Sequence, residues 1–321
     1  MAAVGSRGTV REFPSFNAQD DAAKLRKAMK GIGTDEDAII EILANRTVAQ
    51  RQQILQSFKT AYGRDLVSDL KSELSGNFET VVVGMMMTPA LYDAHQLRNS
   101  IKGAGTDEGC LIEILASRKN REVQEVVAVY KKEFGKSLED DISGDTSQMF
   151  KRVLVSLSTG NRDESNSVSM DQVKDDAKTL YQAGEKQWGT DEVAFLSILC
   201  TRNPAHLNQV FDEYKKIAKK DIESSIKSEM SGSLEDSLLA IVKCMKSRPA
   251  YFAERLYTSM KGLGTEDSTL IRVMVSRCEI DMLDICSEFK AKYGKSLYSF
   301  IKGDCSGDYK KILLQLCGGD C

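Results

Sequence analysis

Proline is scarce in this chain, with 4 in 321 residues, histidine scarcer with 2, and tryptophan occurs once. Little proline removes the commonest helix breaker, and abundant Ala, Leu, Lys and Glu favour helix. Long apolar runs are missing: the longest, roughly Val81–Met87, is far too short to span a bilayer. The opening stretch MAAVGSRGTVREFPSF lacks the apolar core of a secretory signal. No excess of one charge exists either. A formal net charge of −3 excludes a polycation, and with it nucleic acid or a polybasic anchor as the main partner. The 8 cysteines form no C-x-x-C pair and seven follow residue 199, so reduced thiols in a cytoplasmic chain are expected. Cys317 and Cys321 are the candidates for reactivity, with a buried apolar thiol and a frayed tail as the plainer alternative. His95 and His206 belong to no catalytic or metal-ligand motif, and no G-x-x-x-x-G-K-[ST] phosphate loop exists. The chain is therefore not expected to be an enzyme.

What the chain does have is repetition. Gly33-Thr34 leads to Glu73, Gly105-Thr106 to Asp145, Gly189-Thr190 to Glu229 and Gly264-Thr265 to Asp304, with 38 residues between Thr and acid each time. Successive Thr positions are 72, 84 and 75 residues apart, the signature of tandem repeats. A head over residues 1–13 precedes repeats at 14–86, 87–158, 172–246 and 247–321. The polar, Ser- and Asn-rich stretch 159–171 reads as a linker and predicts two halves of two repeats each.

Each repeat reads as four to five helices. Ile39, Ile40 and Leu43 follow the first turn with i, i+1, i+4 spacing, matched by Leu111, Ile112 and Leu115, by Phe195, Leu196 and Leu199, and by Leu270, Ile271 and Met274. The Thr is expected to cap this helix, and Arg46, Arg118, Arg202 and Arg277, twelve residues on, to cap the carbonyls at its far end. Leu66 and Leu70 precede Glu73, as Leu138 and Ile142 precede Asp145, Ile222 and Ile226 precede Glu229, and Leu297 and Ile301 precede Asp304. The acid is expected in a loop after this anchored helix, with Ser75, Ser147, Ser231 and Ser306 capping the next. Val81–Val83 is the one run that passes for a short strand.

A turn where one helix ends and another begins offers carbonyls without intrahelical partners, and the helix dipole there favours a cation. Glycines let those carbonyls turn outward. A carboxylate brought from the other end of the repeat completes an all-oxygen site, which suits calcium better than the more demanding magnesium. One carboxylate leaves a bound Ca²⁺ with about one uncompensated charge and open positions. An anionic phosphate satisfies both, so calcium and an anionic membrane should strengthen each other by the same factor, with avidity from several sites. The EF-hand loop is absent. A single such turn is most simply a helix corner that needs glycine; four turns tied to an acid at constant spacing are not explained that way.

The pattern K-G-x-G-T, 38 residues, then Asp or Glu resembles that of the annexin family, as do the strings GTDE, KSELSGNFE, SLEDDI, WGTDE, TLIRVMVSR and SLYSFIKGD. The resemblance covers the chain from about residue 14. It implies an all-α fold of four homologous five-helix repeats in a curved disc, with calcium sites and membrane on the convex face. It implies carbonyl ligands from Met29, Gly31 and Gly33 with the Glu73 carboxylate, from Ile101, Gly103 and Gly105 with Asp145, and from Met260, Gly262 and Gly264 with Asp304. The third turn is one residue longer and has Gln187 for the first glycine; there the resemblance implies Gly184, Gln187 and Gly189 with Glu229. It also implies a secondary site at Thr34 and Glu36. Trp188, at the tip of the third turn, is expected to contact lipid.

The function expected is calcium-dependent, peripheral binding to anionic, phosphatidylserine-type phospholipid membranes, in trafficking, exocytosis, aggregation or repair. The protein is expected to be a monomer in solution, with self-association on membranes allowed. Two other readings stay open. One is a calcium-independent helical protein scaffold. The other is membrane-associated ion conduction, for which Glu113, Arg118, Arg272 and Asp281 match channel positions of some annexins, whereas Gln96 replaces an acid. Ser6 and Thr9 in the head are the hydroxyls a kinase would reach.

Overall fold

The computed structural model describes residues 7–102, 105–146, 148–185 and 192–320. Among them are twenty helices and no strand. The first repeat holds α1 (Ala18–Ala28), α2 (Glu36–Leu43), α3 (Val48–Tyr62), α4 (Leu66–Glu73) and α5 (Gly76–Met85). The second holds α6 (Pro89–Ile101), α7 (Glu108–Ser117), α8 (Asn120–Phe134), α9 (Leu138–Asp145) and α10 (Gln148–Ser158). Next come α11 (Met170–Glu185), α12 (Glu192–Thr201), α13 (Pro204–Ala218), α14 (Ile222–Glu229) and α15 (Gly232–Lys246). The fourth repeat holds α16 (Arg248–Met260), α17 (Asp267–Arg277), α18 (Met282–Tyr293), α19 (Leu297–Asp304) and α20 (Gly307–Cys317). The Val81–Val83 run lies inside α5, because a lone β-branched run with no neighbouring strand has nothing to pair with.

Local chemistry sets the ends of these helices. A reciprocal pair of bonds between Thr47 and Gln50 opens α3, and Gly63 in the left-handed conformation closes it. Gly135 and Gly294 close α8 and α18 in the same way. Lys219 does so for α13, at φ 61°, the only described non-glycine residue at positive φ. The apolar triads after the turns are buried wherever described: Ile39, Ile40 and Leu43; Leu111, Ile112 and Leu115; Leu196 and Leu199; Leu270, Ile271 and Met274. The pairs expected to anchor α4, α9, α14 and α19 are all buried too. Each such side chain stabilises the fold by about 1.5–3 kcal/mol.

The chain divides into two compact units, residues up to Tyr92 together with Phe252 onward, and Asp93–Tyr251. The polar linker therefore does not separate the two halves. It joins two repeats within one unit, where α7 packs against α15 and α10 against α12 and α15. In the other unit α5 packs on α17 and α20, and α2 on α20. The linker is also pinned: Asp163 N–H donates to the Thr201 carbonyl at 2.7 Å, and Arg162 Nη1 to the Leu199 and Arg202 carbonyls at 2.7 and 2.9 Å.

The arginines twelve residues after each Thr hold the repeats together by another route than the one expected. Arg46 makes a two-pronged bond to Asp21 on α1 (2.6 and 3.0 Å) and Arg118 one to Asp93 on α6 (2.6 and 2.8 Å), all four side chains buried. Arg202 does the same with Asp176 on α11 (2.8 and 3.2 Å). The carboxylate wins because a charged, planar, two-bond partner outcompetes a lone carbonyl. In the fourth repeat Phe252 on α16 fills the position of that Asp. Arg277 lies 4.7 Å from the Phe252 ring centre and pairs instead with Asp281, at 2.9 and 2.7 Å.

Candidate metal centres at the glycine turns

The turns are built by a repeated hydrogen bond that passes over them. Asp35 N–H donates to the Ala28 carbonyl at 2.9 Å, Asp107 to Ser100 at 2.9 Å and Glu266 to Ser259 at 2.7 Å. The loop between is thrown outward. Gly31 and Gly33 have φ of 117° and 86°, Gly262 and Gly264 124° and 89°, and Gly105 98°, values at which a Cβ is strained. Met29 and Met260 are buried at the base, whereas Gly31, Gly33, Gly262 and Gly264 are exposed. The carbonyls of these six residues accept no hydrogen bond from any described residue. Gly103 lies outside the described residues; Ile101 ends α6, and Gly105 is exposed.

The distant acid arrives at each described turn. Thr34 Oγ1 donates to Glu73 Oε2 at 2.9 Å. Thr106 bonds Asp145 and Thr265 bonds Asp304 through the same hydroxyl and a carboxylate oxygen. The Thr is thus not the helix cap. That place belongs to Asp35 on α2 and Asp107 on α7, whose carboxylates accept from Ala38 N and Cys110 N at 3.0 Å each, and by position to Glu266 on α17. The Thr hydroxyl donates to the distant carboxylate, and the Asp one residue on, in position to accept the helix's N–H, supplies the cap. Glu36, named for a secondary site, is the first residue of α2 and half-buried.

The four acids sit at helix ends rather than in loops: Glu73, Asp145, Glu229 and Asp304 are the last residues of α4, α9, α14 and α19, and all are exposed. Keeping the acid in the last turn fixes its backbone through the buried anchors three and seven residues earlier. Ser75, Ser231 and Ser306 stand at the cap positions of the following helices but make no side-chain cap bond. Ser147 lies outside the described residues. The presenting helices are themselves capped. Asp65 and Asp221 accept from Ser68 N and Ser224 N at 2.7 and 2.8 Å, and those backbone N–H groups hold both carboxyls below the usual range. Beside Asp304, burial and the neighbouring acid push the Cys305 thiol up to about 11.

In the third repeat Gly184 is buried near the end of α11, and Glu229 closes α14 with Ser228 Oγ 3.2 Å from its Oε1. Gln187, Trp188 and Gly189 lie outside the described residues.

Two residues passed over in the sequence now stand out. Ile32 and Leu263, the tips of the first and fourth turns, are fully exposed and flanked by glycines. The signal was legible as Gly-Ile-Gly and Gly-Leu-Gly. Lys30, Lys102 and Lys261 beside them are exposed cations. The other candidates are in structural roles. His206 is buried with Nε2 2.8 Å from Asp176, Glu113 and Arg272 are buried, and Arg118 and Asp281 pair within their own repeats. Unpaired carbonyls around one carboxylate make an all-oxygen donor set that suits a hard cation. Among the described residues no group of three or more His, Cys, Asp or Glu forms a side-chain metal cluster, and no helix is long and apolar enough to cross a membrane.

Comparison with known proteins places the chain in a family. The family model for Annexin matches residues 20–85, 92–157, 175–241 and 251–316. Annexin A4 of Bos taurus is 67% identical over 320 residues, covering 100% of both chains. Among solved structures, annexin III is similar with a TM-score of 0.97 at 52% identity, covering 100% of each chain. Calcium-bound annexin (Sm)1 is similar at 0.87 and 34%, covering 99% of this chain and 95% of that one. With four matched segments along its length and two-thirds identity across it, the chain belongs to the annexin family, whose shared property is calcium-dependent binding to phospholipid.

Proposed function

We propose that this protein is a peripheral adhesive for anionic phospholipid membranes, switched on by calcium at the glycine turns. The observation that carries the reading is the meeting of Thr34 with Glu73, Thr106 with Asp145 and Thr265 with Asp304 beside exposed glycine turns. Met29, Gly31 and Gly33 with Glu73 hold one ion; Ile101, Gly103 and Gly105 with Asp145 a second; Met260, Gly262 and Gly264 with Asp304 a third. Gly184, Gln187, Gly189 and Glu229 hold another, and Thr34 with Glu36 a weaker secondary one. Bound calcium supplies positive charge and open positions for headgroup phosphate oxygens. Ile32, Leu263 and Trp188 enter the interfacial layer, and Lys30, Lys102 and Lys261 add attraction to the anionic surface. The protein acts in the cytoplasm, in trafficking, exocytosis, membrane aggregation or repair, and is a monomer until it meets a membrane.

The test is cosedimentation with phosphatidylserine vesicles across calcium concentrations. Wild type is expected to pellet only with calcium. The combined variant Glu73→Gln, Asp145→Asn, Glu229→Gln and Asp304→Asn is expected to stay folded and remain in the supernatant at moderate calcium. Equal binding of wild type in excess EGTA would overturn the reading.

A further inference from the structure

The seven described cysteines are buried thiols, and the fold brings two of them from distant helices into contact. Cys286 on α18 and Cys317, the last residue of α20, have their sulfurs 3.8 Å apart, and neither has exposed surface. A disulfide needs about 2.05 Å between sulfurs. Closing the gap asks for side-chain rotation and a small shift of a helix end.

The same two helices help to carry the N-terminal head, beside the Cys278 carbonyl after α17, which accepts from the Thr9 and Val10 N–H groups at 2.8 and 3.1 Å. At the start of α18, Leu283 N–H donates to the Arg7 carbonyl at 3.0 Å, and Arg7 Nε donates to Asp284 Oδ1 at 3.0 Å. At the end of α20, Thr9 Oγ1 donates to the Leu316 carbonyl at 2.5 Å. Gly318 presses on the same residue: a Cβ there would lie 2.6 Å from Thr9 Cγ2. Cys317 therefore sits between Leu316 and Gly318, the two residues at the end of α20 that seat Thr9, and Cys286 stands one turn beyond the α18 residue that seats Arg7.

We propose that Cys286 and Cys317 are an oxidation site at which a hydroperoxide forms a disulfide that fastens the seat of the head. The entry point is Cys317. It closes the last turn of α20 and is followed by Gly318 and Gly319 at φ 84° and 104°, so fraying of this end uncovers its sulfur while the repeat stays folded. The Cys317 sulfur, losing its proton, attacks a peroxide oxygen. The O–O bond breaks, and a sulfenic acid and one water (or one alcohol) result. When the turn closes, the Cys286 sulfur attacks the sulfenic sulfur, the S–O bond breaks, and a second water leaves as the S–S bond forms. Two thiols are oxidised by two electrons and one peroxide is reduced. A small-molecule thiol reverses the bond by exchange. With α18 and α20 joined, these two supports of the head move as one body and the head opens less often.

The test uses the full chain, reduced, then treated with hydrogen peroxide, denatured, blocked with iodoacetamide and digested without reductant. Mass spectrometry is expected to find the Cys286 and Cys317 peptides joined, in wild type, Cys278→Ser and Cys321→Ser but not in Cys286→Ser, and parted by dithiothreitol. In the oxidised folded chain, trypsin is expected to cut after Arg7 and Arg11 several-fold more slowly than in the reduced one. Recovery of Cys286 fully alkylated, with Cys317 as sulfinic acid, joined to Cys321 or joined to another chain, would overturn the site. A Cys286–Cys317 bond that leaves the cleavage rate unchanged would overturn its link to the head.

Discussion

Thr34 donates its hydroxyl proton to Glu73 across 2.9 Å, although 38 residues separate them in sequence. The bond aims an exposed carboxylate at the glycine turn before any ion arrives. Thr→Val at positions 34, 106 and 265 keeps the shape and removes the donors. Each loss should weaken its site by about 0.5–1.5 kcal/mol, and the calcium midpoint for vesicle binding should rise about two- to ten-fold. A midpoint that stays put or falls would show that the hydroxyl does not prepare the acid for metal.

The tips Ile32 and Leu263 have no packing partner to lose, so changing them should leave the fold intact. Ile32→Ala with Leu263→Ala should weaken vesicle binding at saturating calcium by up to about 2 kcal/mol per side chain. Vesicle flotation in a calcium series measures this. Unaltered binding would mean that the tips stay in water.

Asp93 and Arg118 are both buried and bonded at two points. Asp93→Ala strands a buried guanidinium and should cost about 3–5 kcal/mol, seen as a large fall in the urea midpoint. Asp281→Ala should cost clearly less, because Arg277 keeps its place against the Phe252 ring. Equal losses would remove the distinction drawn between the second and fourth repeats.

Lys219 holds φ 61° at the end of α13, where Gly63, Gly135 and Gly294 close the matching helices. Lys219→Gly should stabilise the protein by about 1 kcal/mol by relieving the side chain from the left-handed region. Thermal unfolding checks the sign; a drop would mean that the lysine makes a compensating contact.

Much of this was readable along the chain because helix period and burial are local matters. The triads Ile39, Ile40, Leu43 and their described partners, and the anchors before each acid, went inside as their spacing required. The partners of the arginines were readable too, and were missed. An Asp stands 25 residues before Arg46 and Arg118 and 26 before Arg202. Its absence in the fourth repeat, where Phe252 intervenes, hid the rule.

By itself, then, the sequence determined four helical repeats, the described turns that need glycine, and an acid at fixed distance from each Gly-Thr pair, because these rest on backbone conformation and on periods of a few residues. Tertiary structure alone decided three further matters. The Thr hydroxyl met the far carboxylate while the next residue capped the helix, the first repeat shared a compact unit with the fourth rather than the second, and two thiols 31 residues apart came into contact. Each is a competition between partners remote in sequence, settled only when packed helices fix which groups stand within a few ångströms.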